Sequence, residues 1–166
     1  DFVNAIKAAE QAGYDVLSIA NNHILDYDSP ALIDTLNVLR EQGIEPVGAG
    51  ENLDEAVQPV IKEVKQQKIA FISATEMADI FWDYQYPRTF EAKPDQPGVQ
   101  KYDADQLVET VSSLRDQVDV IVVSLHWGTE YSDYPEVYQK ETAHRLVDAG
   151  ANLIIGNHPH CLQGVE

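Results

Sequence analysis

The stretch DVIVVSLHWGTEY, residues 119–131, decides the fold. Its first seven residues are a β-forming, largely apolar run of the kind that a strand covered on both faces requires, as in a parallel sheet. It ends abruptly in polar residues, HWGTEY. Downstream, residues from about 136 to 149 read as a helix closed by Gly150, and ANLIIG (151–156) is a second β run that ends in NHPH. Upstream, Leu107, Val111, Leu114 and Val118 form a helical stripe, and Asp103 with Gln106 resembles a capping box at its start. Helix, strand, helix, strand predicts an α/β protein whose sheet has parallel sections.

The N-terminal half repeats the rhythm. Residues 2–11 place Phe2, Ile6 and Ala9 at helical spacing before Gly13, and YDVLSIA (14–20) reads as a strand running into NNHILDYD. Ser29 and Pro30 have the chemistry of an N-cap and a first helical residue, with Leu32, Leu36 and Leu39 on one face and Gly43 at the end. A strand IEPVGA, a short helix at 53–57 and a hairpin of PVIKEV and KIAFISA around KQQ follow. Residues 75–100 then break the pattern. A loop of that length is a lid or binding loop, or it packs on the core, and Phe81, Trp82, Tyr84 and Tyr86 suit either role.

The 166 residues are read as one domain, 1–166, with enough apolar content (44%) to fold around a core. No apolar run reaches the roughly 20 residues of a membrane-spanning helix. The chain opens in a helix already under way and closes in a strand just begun, so it reads as a segment of a longer protein. A net charge of −17 disfavours nucleic acid and anionic membrane surfaces, and is compatible with divalent cations. The single cysteine, Cys161, excludes an internal disulfide and a thiolate cluster.

Four of the five histidines follow the ends of β runs: His23, His126, His158 and His160. In open α/β sheets, ligands sit beyond the carboxyl ends of the strands. Imidazole with amide or carboxylate oxygen suits Zn, Fe, Mn or Ni. His158 and His160 are two apart, so an extended backbone would send both rings to one side, with Pro159 stiffening the link. A structural histidine cluster without metal is the competing reading. The fifth, His144, reads as a surface residue of a helix. A serine hydrolase is disfavoured because no G-x-S-x-G is present, and GAGENL lacks the third glycine of a dinucleotide motif.

ANNHILDYD, VGAGENLDEA, VIVVSLHWGTEY and GANLIIGNHPHCLQGVE, in this order, resemble the CapA family of capsule and poly-γ-glutamate synthesis, within the calcineurin-like metallophosphoesterase superfamily. The resemblance covers essentially the whole chain. It implies two packed mixed β-sheets flanked by helices (αββα), here incomplete at both ends, and two divalent transition metal ions (Mn, Fe or Zn). It implies metal ligands at Asn22, His126, His158 and His160, the last two serving one metal each. His23 becomes the residue that assists the leaving group or steadies the transition state. Asp26 is its orienting partner, or equally a carboxylate before a helix N-terminus. Glu130 and Trp127 are weaker candidates for substrate contact.

The aspartates of the superfamily's first motifs, including the one bridging both metals, are expected before Asp1. Asp28 stands where the family commonly has glycine, Asn152 where it has aspartate, and Asn157 where it has histidine. The implied chemistry is two-metal hydrolysis of a phosphoester. The alternative is a non-catalytic metal-binding subunit of a polymer synthesis or export complex, with anionic polymer and other complex subunits as partners. The same resemblance places the protein at a bacterial membrane or outside the cytoplasm.

Overall fold

A computed structural model describes residues 2–79 and 89–166. The aromatic cluster Phe81, Trp82, Tyr84 and Tyr86 lies outside the described residues. The main sheet has four strands in the order β4 (Val60–Val64), β5 (Gln67–Thr75), β7 (Val120–His126), β8 (Leu153–Asn157). β4 and β5 form the expected antiparallel hairpin, whereas β5–β7 and β7–β8 are parallel. The hairpin turn is Lys65–Gln66, both with positive φ (51° and 68°), the conformation that matches the twist of a two-residue β-turn. The sheet is therefore mixed, as the resemblance implied.

Each parallel connection contains a helix. α4 (Ala104–Leu114) lies between β5 and β7, and α5 (Val137–Ala149) between β7 and β8. α4 is capped by Asp103, whose carboxylate accepts from the N–H groups of Asp105 and Gln106. α5 is opened by a capping box between Glu136 and Gln139. Leu107, Val111 and Leu114 of α4 and Leu146 of α5 pack on Ala70, Ile72, Ile121, Val123 and Leu125 of the sheet. The two-sided cover expected for residues 119–125 is complete on this face only. Along β7, buried residues alternate with partly exposed ones, because both helices lie on the same side of the strand.

A second core gathers α1 (Phe2–Gln11), α2 (Asp28–Glu41) and two short ladders. One ladder is parallel, β1 (Val16–Ser18) with β2 (Glu45–Val47), and the other antiparallel, β3 (Ala49–Gly50) with β6 (Gly98–Val99). A one-turn helix, α3 (Leu53–Ala56), follows β3 and is capped by the Asn52 side chain. Leu32, Leu36 and Leu39 are fully buried here, as their spacing predicted. The expected strand at 14–20 is shorter than its apolar run. The expected strand IEPVGA is split at Gly48, which takes a φ of +88°.

The Ser29 cap is not used. α2 begins at Asp28, and Tyr27 in the cap position makes no side-chain cap bond. Turns already lead the chain into the helix, through Asp26 N–H to the His23 carbonyl and Asp28 N–H to that of Leu25. Asp28 has a φ of +65°, in the left-handed region that glycine adopts without cost and aspartate tolerates. This accounts for a position where glycine is common. No helix among the described residues is long and apolar enough to cross a membrane.

Candidate metal centre

Three chain segments deliver polar side chains to one cleft of about 360 Å³, lined by Ser18, Asn22, His23, His126, Asn157 and His160 among others. Asn22 and His23 follow β1. His126 is the last residue of β7, and Asn157 the last of β8. The parallel register sets His126 directly opposite Asn157, and their side chains join, Nδ1 to Oδ1 at 2.5 Å. The Asn157 amide also donates to Ser124, which orients its oxygen toward the ring. An Nδ1–H that donates to Asn157 leaves the ring's lone pair on Nε2, as a carboxylate or histidine partner would.

His126 Nε2 lies 2.9 Å from Asn22 Oδ1, and Asn22 is buried. Burial lowers the His126 pKa to about 4, against the opposing effect of the Asn157 bond, so the ring is neutral at pH 7. A neutral ring has one N–H. With that proton on Nδ1, two lone pairs face each other across the 2.9 Å gap. A cation bound by both atoms removes that conflict, as does an Asn22 amide turned over to donate. The pair has the chemistry of a metal-ligand pair.

His158 and His160 stand on a bent segment rather than an extended one. Their φ values are +96° and +58°, so the period-two argument for their shared direction does not hold. The rings nevertheless converge, with centroids 5.8 Å apart, and the His158 ring is 4.7 Å from that of His126. His158 Nδ1 is buried and has no hydrogen-bond partner among the described residues. Burial also lowers the His158 pKa, with Glu130 opposing, and so favours the coordinating neutral form. Glu130, His158 and His160 each present a ligand atom within 4.8 Å of the others. These donors fit a divalent transition metal ion.

His23 is exposed, and its Nδ1 pairs with Asp26 Oδ2 at 2.9 Å. Asp26 thus touches His23 and also precedes the start of α2, so it meets the geometry of both readings. Trp127 points away from the cleft into the core, 5% exposed, against Tyr102 and Tyr138. Its backbone N–H bonds the Asn157 carbonyl. Asn152, the other departure, accepts from Ile121 N–H through its side-chain oxygen at 2.8 Å, and its own N–H donates to the Ile121 carbonyl at 2.9 Å, so that β8 starts in register. His144 is at the surface, paired with Glu166.

Sequence reasoning missed Glu76. Its carboxylate accepts from Gly128 N–H at 2.6 Å and from the Tyr138 hydroxyl, and so anchors the turn after His126. That turn needs glycine: Gly128 has a φ of +90°, and a Cβ there would meet the Gln139 amide at 2.6 Å. Burial and the Glu76 bond raise the Tyr138 pKa, and burial raises that of Tyr102. Both favour the neutral phenol. Their contribution to stability is complete below the ordinary tyrosine value of about 10 and is lost as pH rises through the raised values. Absorbance titration at alkaline pH is expected to show a late tyrosinate step that shrinks in Tyr138→Phe.

The fold has a solved counterpart in a structure of a candidate 5′-nucleotidase from Staphylococcus aureus in complex with alpha-ketoglutarate. It matches with a TM-score of 0.62 at 20% identity, over 95% of this chain and 31% of that one. The chain therefore shares this mixed α/β, calcineurin-like phosphoesterase fold. Residues 3–166 match the family described as bacterial capsule synthesis protein PGA_cap, and the chain belongs to that family. Among curated relatives, it is 34% identical over 165 residues to the capsule biosynthesis protein CapA of Bacillus anthracis, covering 97% of this chain and 38% of the relative. It is 33% identical over 163 residues to the PGA biosynthesis protein CapA of Bacillus subtilis, covering 98% and 41%. The chain thus spans about two fifths of the length of these relatives.

Proposed function

We propose that the cleft is a metal-dependent phosphoester-hydrolysing centre that serves capsule or poly-γ-glutamate synthesis. The observation that carries this reading is the convergence of Asn22, His23, His126 and His160 on one cleft, with His158 and Glu130 at its edge. Asn22, His126, His158 and His160 would hold the metal, two divalent ions (Mn, Fe or Zn) in the complete centre. Divalent ions bound there would polarise the phosphoryl group and supply a nucleophile at neutral pH.

The chain's own residues account for the remaining steps. Asn157 fixes the His126 tautomer. Asp26, accepting from Nδ1–H of His23, orients the ring so that the second proton of its imidazolium form, on Nε2, would pass to the departing oxygen. The aromatic pocket around Trp127 holds the turn that carries His126 and Glu130. The test is hydrolysis of a generic phosphoester by the full-length protein, before chelation, after it, and after Mn(II), Fe(II) or Zn(II) is restored. Turnover that falls on chelation and returns with metal supports the reading. Metal-independent turnover, or none in the metal-loaded protein, contradicts it.

A second reading is a metal-binding subunit without turnover in a polymer synthesis or export complex, and the net charge of −17 counts against its direct contact with an anionic polymer. Such a surface repels an anionic polymer except where bound cations or partner subunits intervene. Metal content without hydrolysis, and polymer binding that survives loss of His23, would favour it.

A further inference from the structure

We infer that Tyr131 is a substrate-contacting residue, a platform on which the organic part of a phosphoester stacks when that part is flat and aromatic. This rests on the phosphoester-hydrolysing centre proposed above and adds to it a class of substrate. The Tyr131 and His160 ring centroids lie 5.8 Å apart with 31° between the ring planes, within the range of an offset aromatic pair. His160 lines the cleft, so Tyr131 stands one ring outside it, at the rim. Tyr131 is nevertheless 74% exposed, which leaves most of the residue uncovered. An exposed tyrosine alone says little, since single apolar side chains at a surface are common. This one is set apart by its backbone.

Tyr131 has a φ of +60°, in the left-handed region that is costly for an aromatic residue. Such a cost is tolerated where surrounding bonds enforce it, and commonly at ligand sites. Here the enforcing bond runs from Tyr131 N–H to the Pro159 carbonyl at 2.8 Å, which ties the tyrosine to the residue between His158 and His160. Just beyond it, the Ser132 carbonyl accepts from Cys161 Sγ at 3.0 Å and from Gln163 Nε2 at 2.9 Å, so the loop that carries the ring is held to the histidine segment. The strain brings the ring little burial; what it brings is a fixed place beside His160. Among the described residues, the cleft lining includes no lysine or arginine. The phosphoryl charge therefore falls to bound cations, and recognition of the rest of the substrate falls to neutral side chains. Tyrosine suits that task, because a rigid ring offers a large contact area at little cost in conformational entropy.

The test is calorimetric binding of two non-hydrolysable probes, phenylphosphonate and methylphosphonate, to the metal-loaded full-length protein. They share the phosphonate and differ by the flat ring. The parent is expected to bind phenylphosphonate about three- to tenfold more tightly, the worth of one aromatic pair. Tyr131→Phe is expected to keep that preference. Tyr131→Asn removes the ring and suits left-handed backbone better, so folding by circular dichroism is expected to be intact. In that variant the preference is expected to fall below about twofold while methylphosphonate affinity is unchanged. A merely structural role would weaken both probes alike. A preference that survives Tyr131→Asn, an equal loss for both probes, or no preference in the parent overturns the role of Tyr131, and the hydrolytic centre stands where the parent still turns over a phosphoester. A preference that depends on Tyr131 in a metal-loaded protein without turnover overturns the hydrolytic reading and leaves the stacking site standing. A metal-loaded protein that binds neither probe overturns both.

Discussion

His23→Ala is expected to reduce phosphoester turnover by roughly 10²–10⁴-fold, the contribution of a well-placed general acid, while leaving bound metal unchanged. The separation follows from where His23 stands. Its ring lines the cleft and is anchored through Nδ1 to Asp26. Its side chain is 66% exposed, so truncation opens no cavity. Asp26→Asn is expected to lower turnover by less, because it frees the ring to change tautomer without removing it. Turnover assays with metal analysis on the same preparations check this. Equal loss of metal and activity in His23→Ala would make His23 a ligand instead.

Gly48→Ala is expected to destabilise the fold by about 2–5 kcal/mol, a large part of a typical domain's stability. Two costs add. The φ of +88° puts an L side chain in the left-handed region, for about 1–2 kcal/mol. The new methyl would also lie 2.7 Å from the Ala20 side chain and 2.7 Å from the Ser73 carbonyl, and overpacking of this kind costs about 1–3 kcal/mol. Gly13→Ala separates the two terms, since Gly13 has a φ of +85° and open space around it. Denaturant unfolding of both variants should show the larger loss at Gly48. Equal losses would mean that the N-terminal segment gives way before the Ala20–Ser73 contact is felt.

The clustering of histidines at the strand ends was legible because strand ends are legible. A β run that stops at a histidine places that histidine at a sheet edge, whatever the details of the strand. The helical stripes of α2 and α4 were equally plain, since burial every three or four residues leaves a direct trace. What escaped was whatever depends on register and on loops meeting across the fold. Asn157 read as a departure from a pattern, yet the β7–β8 register sets it against His126. Glu76 lies 52 residues from the glycine it anchors, and no local pattern links them. The histidine pair converged for a different reason than spacing suggested, because two left-handed residues replaced the extended backbone that alternation assumes. Trp127, a weaker candidate for substrate contact, is turned into the core by alternation along the strand end.

Elemental analysis of the purified protein beside a His158→Ala/His160→Ala double variant tests whether the strand-end histidines hold metal. The account expects a stoichiometric divalent transition metal in the parent that is lost, or reduced below stoichiometric, in the double variant, with both proteins folded by circular dichroism. Metal retained in full by the double variant, or no metal bound by the parent after incubation with Mn(II), Fe(II) or Zn(II), would contradict it.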